Sequence, residues 1–308
     1  MSFAIDVQHL TKKFHSTLAV DNLTFQVGKG EVFGLLGPNG AGKTTTVRML
    51  CCLIPPTEGS ASIGGYDISS IEGSMKARKI IGLVPDNVGL YDTLSAVENL
   101  QFYGKMYEAP DQLVNDNIEK YLKMLDLWEK RNQSVGTYSK GMRQKVAVAR
   151  ALIHDPEILI MDEPTANLDP EASRTIRDFI IELKKENRTI MLNTHNLDEA
   201  QRICTKIGVL KTRMITVDTP GNLQRSFSGS RISIKLANIN AQILQAVKVL
   251  NLGNVLQDSD TLLIDLADID KDTPVVVNAI SAAGGKIQSV NEVKMSLEEA
   301  YFKLVGEE

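Results

Sequence analysis

The 308-residue chain has no apolar run long enough to cross a bilayer. A membrane helix needs roughly 18 to 20 such residues in succession, and the longest apolar pieces here are strand-length, such as Ile158 to Met161. Any membrane role is therefore expected to come through a partner. A basic excess is also missing: 34 Lys and Arg stand against 38 Asp and Glu, a formal net charge of -4. That leaves no overall electrostatic footprint for nucleic acid. Only three cysteines occur, Cys51 and Cys52 adjacent and Cys204 distant. They supply neither a disulfide framework nor metal-ligand spacing, and they fit a reducing cytosol. The opening MSFAIDVQHL lacks a basic region followed by an apolar run, so no export signal is expected. Repeats and low-complexity segments are absent as well.

What remains is globular in character, with 43% hydrophobic and 23% charged residues. The length predicts one large unit and one small one. Alternating apolar positions in FAIDVQHL and LTFQVGKG predict an antiparallel flap, followed by a buried strand from Val32 to Leu36. A helical pattern runs from Gly42 through Val47, Leu50 and Leu53 until Pro55 and Pro56 break it. Residues of about 87–155 read as a helical insertion, with a capping box at Ser95 and Glu98 and an apolar stripe of Leu113, Ile118, Leu122 and Leu125. Short strands then alternate with helices (Ile158 to Met161, Thr189 to Leu192, Ile207 to Leu210), the rhythm of a mostly parallel α/β core. After a change of character near 225–230, strand, helix, strand pair, helix, strand and a last helix capped by Ser296 and Glu299 predict a small ferredoxin-like α+β unit over 230–308.

The segment Gly37-Pro38-Asn39-Gly40-Ala41-Gly42-Lys43-Thr44 fits G-x-x-x-x-G-K-[ST]. In such a turn, backbone N–H groups and a helix N-terminus face phosphates, a lysine reaches the terminal phosphates and a hydroxyl reaches magnesium. A chance match in a chain this long is on the order of one in a hundred before the strand and helix context is counted. Ile158 to Met161 delivers Asp162 and Glu163 at a strand's C-terminal end, where ligands bind in open parallel sheets. Asp162 is placed for the metal and Glu163 for polarising an attacking water as general base.

With these motifs in order, residues of about 3–225 resemble the ABC ATPase family. YSKGMRQKVAVARAL at Tyr138 to Leu152 looks like its signature, Asn167-Leu168-Asp169 like its D-loop, and His195 in LNTHNLDEA like its switch histidine. The resemblance implies a P-loop core with helical subdomain, ATP and Mg2+ as ligands, and catalysis by Glu163, His195 and Lys43. It implies a nucleotide cradle of Gly37 to Thr44 (Gly37, Pro38, Asn39, Gly40, Ala41, Gly42, Lys43, Thr44) with Thr45, and adenine stacking on Phe14. It places Thr44 and Asp162 at the metal, with Asp86 as a further candidate. Two such domains, identical or closely related, would face head to tail, so that Ser139 and Gly141 act on the nucleotide of the other chain, and Asp169 is the D-loop carboxylate.

Three positions depart from the family pattern: Lys140 where glycine is common, Met142 where glutamine is common, and Asp86 where most members carry glutamine. An acidic residue at that last position, the YSKGM signature and the ending SLEEAYFKLVG resemble type 2 exporters of the drug-resistance, sodium, lipid or polysaccharide kind. The implied role is a transporter's ATPase subunit, cytoplasmic and held at the inner membrane face by separately encoded permease chains, without nucleic acid. The alternative is a soluble nucleotide switch acting on ribosomes or DNA. It is disfavoured because those relatives carry two ATPase domains or long coiled coils. For 230–308 the readings are a dimer-stabilising module or a regulatory one.

Overall fold

In a computed structural model, residues 3–227, 230–293 and 296–306 are described. The chain divides into two units, residues 1–220 and 221–308.

In the first unit, β1 (Phe3–Phe14) and β2 (Thr17–Gly28) pair antiparallel, and with β4 (Glu58–Ile63) and β5 (Tyr66–Asp67) they form a four-stranded sheet in the order β2-β1-β4-β5. Its alternating residues Ile5, Val7, Val20, Leu23, Phe25 and Val27 are buried in one core with Phe33, Leu35, Val47 and Met49. The flap thus covers the phosphate-loop strand and helix.

The second sheet runs β10-β9-β3-β8-β7-β6, where β3 is Val32–Leu36, β6 Ile81–Val84, β7 Ile158–Asp162, β8 Thr189–Asn193, β9 Lys206–Lys211 and β10 Arg213–Asp218. All adjacent pairs are parallel except β9 with β10. Every residue of β3, β7 and β8 is buried, as expected of strands covered on both faces. The loops after β3, β8, β7 and β6 therefore emerge side by side at one end of the sheet.

Helix α1 (Lys43–Leu50) ends three residues before the sequence pattern does. Cys52 takes φ 56°, and Leu53 N–H turns back to Arg48 O at 2.9 Å, a left-handed helix stop that leaves Leu53 exposed. After α2 (Ile71–Ile80), the insertion holds α3 (Ala96–Met106), α4 (Asp111–Met124) and α5 (Lys140–Leu152). The Ser95 and Glu98 capping box is present. On α4, Val114, Ile118, Tyr121 and Leu122 fill the core, while Leu113 is only half-buried. Helices α6 (Pro170–Lys185) and α7 (Leu197–Ile203) follow β7 and β8.

Helix α8 (Pro220–Phe227) opens the second unit. There β11 (Ser230–Leu236), α9 (Ala241–Val249), β12 (Val255–Asp258), β13 (Thr261–Leu266), α10 (Ile269–Ala282) and β14 (Ile287–Val293) follow in turn, with α11 (Leu297–Gly306) last. The antiparallel order β12-β13-β11-β14 is the ferredoxin-like arrangement. Ile232, Ile234, Leu262 and Ile264 pack under Ile243 and Val247 of α9 and Val276 and Ile280 of α10. Helix α10 begins where Asp268 caps it through Lys271 N–H, which leaves Pro274 within the first turns.

Candidate functional site

The loop from β3 to α1 is shaped by its glycines. Gly40 and Gly42 take φ of 82° and 95°, and a Cβ on Gly42 would lie 2.3 Å from Ala19 O. A Cβ on Gly37 would meet Leu210 O at 2.2 Å. Lys43 is buried, and its ammonium donates to Gly37 O at 2.8 Å and Pro38 O at 3.1 Å. Burial lowers its pKa, while the charges of Glu163 and Asp162 oppose the shift. The cation therefore stands between the loop and two carboxylates.

At the end of β7, Asp162 is buried and its Oδ1 accepts from Thr44 Oγ1 at 3.4 Å and from Asn193 Nδ2. Burial pushes the carboxyl above its ordinary value; hydrogen bonds from Thr44 and Asn193 counter this, and the charges of Asp86 and Glu163 add to the rise. A hydroxyl and a carboxylate are hard oxygen donors that suit Mg2+, which typically takes one or two protein ligands and the rest from phosphates and water. Among the described residues no group of three or more His, Cys, Asp or Glu could hold a metal by itself. The donor set thus fits a cation shared with a phosphate ligand.

Glu163 has φ 51°, an uncommon backbone for a glutamate, and its N–H donates to Asn193 O at 2.8 Å. Its carboxylate meets His195 Nδ1 at 2.9 Å through Oε1 and 2.8 Å through Oε2. Lys43, Thr44, Asp162, Glu163 and His195, expected from the sequence, are accordingly brought together by three neighbouring strands.

Ser139, Gly141 and Asp169 form a second group, and no hydrogen bond joins it to the first among the described residues. Ser139 Oγ caps α5 by accepting Met142 N–H at 3.3 Å, and Asp169 caps α6 by accepting Ala172 N–H at 2.8 Å. A Cβ on Gly141 would come within 2.5 Å of Ala172 Cβ and 3.1 Å of Asp169 Oδ2. The glycine lets the two helix N-termini meet. Lys140 is exposed, and Met142 Sδ accepts from Lys130 Nζ at 3.9 Å.

Phe14 ends β1 with 43% of its surface exposed and Lys12 Nζ 5.0 Å from its ring centre. An aromatic ring left in solvent is a surface on which a flat ligand can stack. Asp86 is exposed on the loop after β6 and accepts Asn87 N–H at 2.8 Å. That loop is pinned from α5: buried Arg150 donates to Val88 O and to Gly89 O at 3.0 Å, under the ring of Tyr103, whose hydroxyl also donates to Gly89 O at 2.8 Å. Sequence reasoning passed over Arg150, Asn193 and Glu199. For Glu199, the one available signal was a carboxylate one helical turn after His195.

The ABC transporter family model matches residues 20–166. The linearmycin resistance ATP-binding protein LnrL of Bacillus subtilis (strain 168) is 32% identical, with 98% of each chain covered. The Nod factor export ATP-binding protein I of Rhizobium sp. (strain N33) is 35% identical over 99% of this chain and 98% of its own. Among solved structures, the dimeric post-hydrolysis state of the ATP-binding cassette MJ0796, bound to ADP and Pi, superposes with a TM-score of 0.63 at 27% identity, covering 70% of this chain and 98% of that one. The chain therefore belongs to the ABC transporter ATP-binding proteins and is an ATPase of the P-loop fold.

Proposed function

We propose that the chain hydrolyses ATP to drive export through a separate membrane permease, working as a head-to-tail pair at the cytoplasmic face of the membrane. The observation that carries the hydrolytic part is the Glu163 and His195 pair set beside Asp162, Thr44 and Lys43. In this reading Glu163 takes the proton of the attacking water, and His195 orients the Glu163 carboxylate. Lys43 and the loop N–H groups offset phosphate charge, and Thr44 and Asp162 would hold the Mg2+, which when bound would neutralise charge developing on the phosphates. Water loses its proton to Glu163 as its oxygen bonds to the terminal phosphorus, and the bond to the ADP oxygen breaks. The products are ADP and phosphate.

Phe14 stacks on the adenine, and Ser139 and Gly141 close over the nucleotide of the second chain, aided by the N-terminus of α5. Asp86 is kept as a sensor of the permease beside the metal site. The partner surface is supported by exposed aromatics next to the Asp86 loop: Tyr91 packs edge-on against Phe102 at 4.9 Å, with Met106 also exposed. No helix among the described residues is long and apolar enough to cross a membrane, so this reading assigns the pathway to the partner. Export as the direction rests on similarity to relatives named for resistance and export. The ferredoxin-like unit serves to steady the dimer.

The test is a pull-down from native membranes with the Glu163→Gln chain held closed by ATP and magnesium. Recovery of a multi-span membrane protein supports the transporter partner. Recovery of ribosomal or DNA-bound material without one moves the chain to the soluble-switch class.

A further inference from the structure

Behind the Glu163 and His195 pair lies a carboxylate that the proposed chemistry does not use. Glu199, in the first turn of α7, is fully buried. Its N–H is capped by Asn196 Oδ1 at 3.0 Å. Its two oxygens take one hydroxyl each: Oε1 accepts from Thr165 Oγ1 at 3.0 Å, and Oε2 from Thr194 Oγ1 at 3.0 Å. Thr194 Oγ1 in turn accepts Asn196 N–H at 3.0 Å, so its single proton is committed to Glu199.

Thr165 follows Glu163 by two residues on the loop after β7, and Thr194 directly precedes His195 on the loop after β8. The carboxylate therefore ties together the two loops whose separation sets the Glu163 to His195 contact. A buried carboxylate is costly unless its oxygens are satisfied, and here both are satisfied only while both loops are in place. Burial raises the Glu199 pKa, the two threonine hydroxyls oppose the rise, and Arg177 favours the charged form. The backbone of Glu163, at φ 51°, is of a kind that persists where its surroundings over-determine it. Asn193 O holds Glu163 from one side, and the Thr165 clamp holds the loop just beyond it.

We infer that Glu199 is a positioning residue for ATP hydrolysis, locking the Glu163 loop to the His195 loop through the hydroxyls of Thr165 and Thr194. This rests on the roles proposed above for Glu163 and His195.

The experiment uses the full chain and steady-state ATP turnover, with kcat and KM separated, for Glu199→Leu, Thr165→Val, Thr165→Ser and the pair Glu199→Leu with Thr165→Val. Thermal unfolding and ATP binding are measured on the same samples. A misplacement near 1 Å can cost about 100-fold, so Glu199→Leu and Thr165→Val are each expected to lower kcat by at least about 10-fold, with KM within about threefold. Thr165→Ser restores kcat because it restores the hydroxyl, and the paired variant is no worse than either single one. Normal kcat in Glu199→Leu and Thr165→Val overturns the inference. So does a loss that Thr165→Ser fails to restore. Glu163→Gln is run alongside: if it turns over normally, the base assignment has failed; if it is inactive while the clamp variants are normal, only the clamp has failed.

Discussion

His195 Nδ1 lies within 2.9 Å of both carboxylate oxygens of Glu163, joining the loop after β8 to the loop after β7. Glu163→Gln keeps the shape of the side chain and removes the carboxylate proposed above as the base. Turnover should fall at least about 100-fold, within the usual range for general base catalysis, while ATP affinity stays within about threefold. His195→Ala should lower kcat in the same direction with binding again retained. Single-turnover hydrolysis with equilibrium ATP binding checks both, and normal hydrolysis by Glu163→Gln would reassign the base.

Asp162 connects protonation to stability. Its carboxyl is held above its ordinary value by burial, so the folded pKa exceeds the unfolded one. The stability it contributes is complete below the unfolded pKa, near 4, and is lost as pH rises through the folded value. In nucleotide-free, chelated protein, Asp162→Asn should therefore raise Tm at about pH 7.5, and the gain should shrink toward zero below about pH 4. Asparagine keeps an oxygen for Thr44 and Asn193, so the hydrogen bonds survive. A Tm difference that does not vary with pH would assign the effect to packing instead of charge.

Gly141 is tested within a single chain. A methyl there meets Ala172 Cβ at 2.5 Å, and overpacking of this kind costs about 1–3 kcal/mol. Ser139→Ala removes only the α5 cap, at about 1 kcal/mol. Urea unfolding should rank Gly141→Ala as the less stable of the two. If it unfolds at the wild-type midpoint, α5 and α6 can separate without cost, and any loss of activity belongs to the contact with the second chain.

Phe14→Ala should weaken ATP binding by about 2- to 12-fold, the equivalent of an aromatic stacking contribution of about 0.5–1.5 kcal/mol. Binding of tripolyphosphate, which has no base, should be unchanged. Calorimetric titration of both ligands separates adenine stacking from a general change in the fold; equal weakening of the two would remove Phe14 from the adenine site.

The phosphate loop was legible in sequence because its geometry is local. Positive φ at Gly40 favours glycine and the close approaches at Gly37 and Gly42 demand it, and the strand and helix beside them show their own periodicity. The acid pair ending β7 was legible for the same reason, as were the Ser95 cap and the strand and helix sequence that builds the ferredoxin-like sheet. The true end of α1 was harder to read: Leu53 continues the apolar pattern, yet the chain turns back at Cys52, so the helix stops before the prolines.

By itself, the sequence determined the glycine loop between a strand and a helix and the carboxylate pair at the end of β7. Only the tertiary structure decided which groups support them. Asn193 reaches Asp162 across 31 residues of chain, Thr165 reaches Glu199 across 34, and Arg150 reaches Val88 across 62. None of these pairs has a spacing that a motif could reveal. Each exists because the sheet places β8 between β3 and β7 with β6 beyond, and because a buried polar group must find its partner wherever the fold has put one.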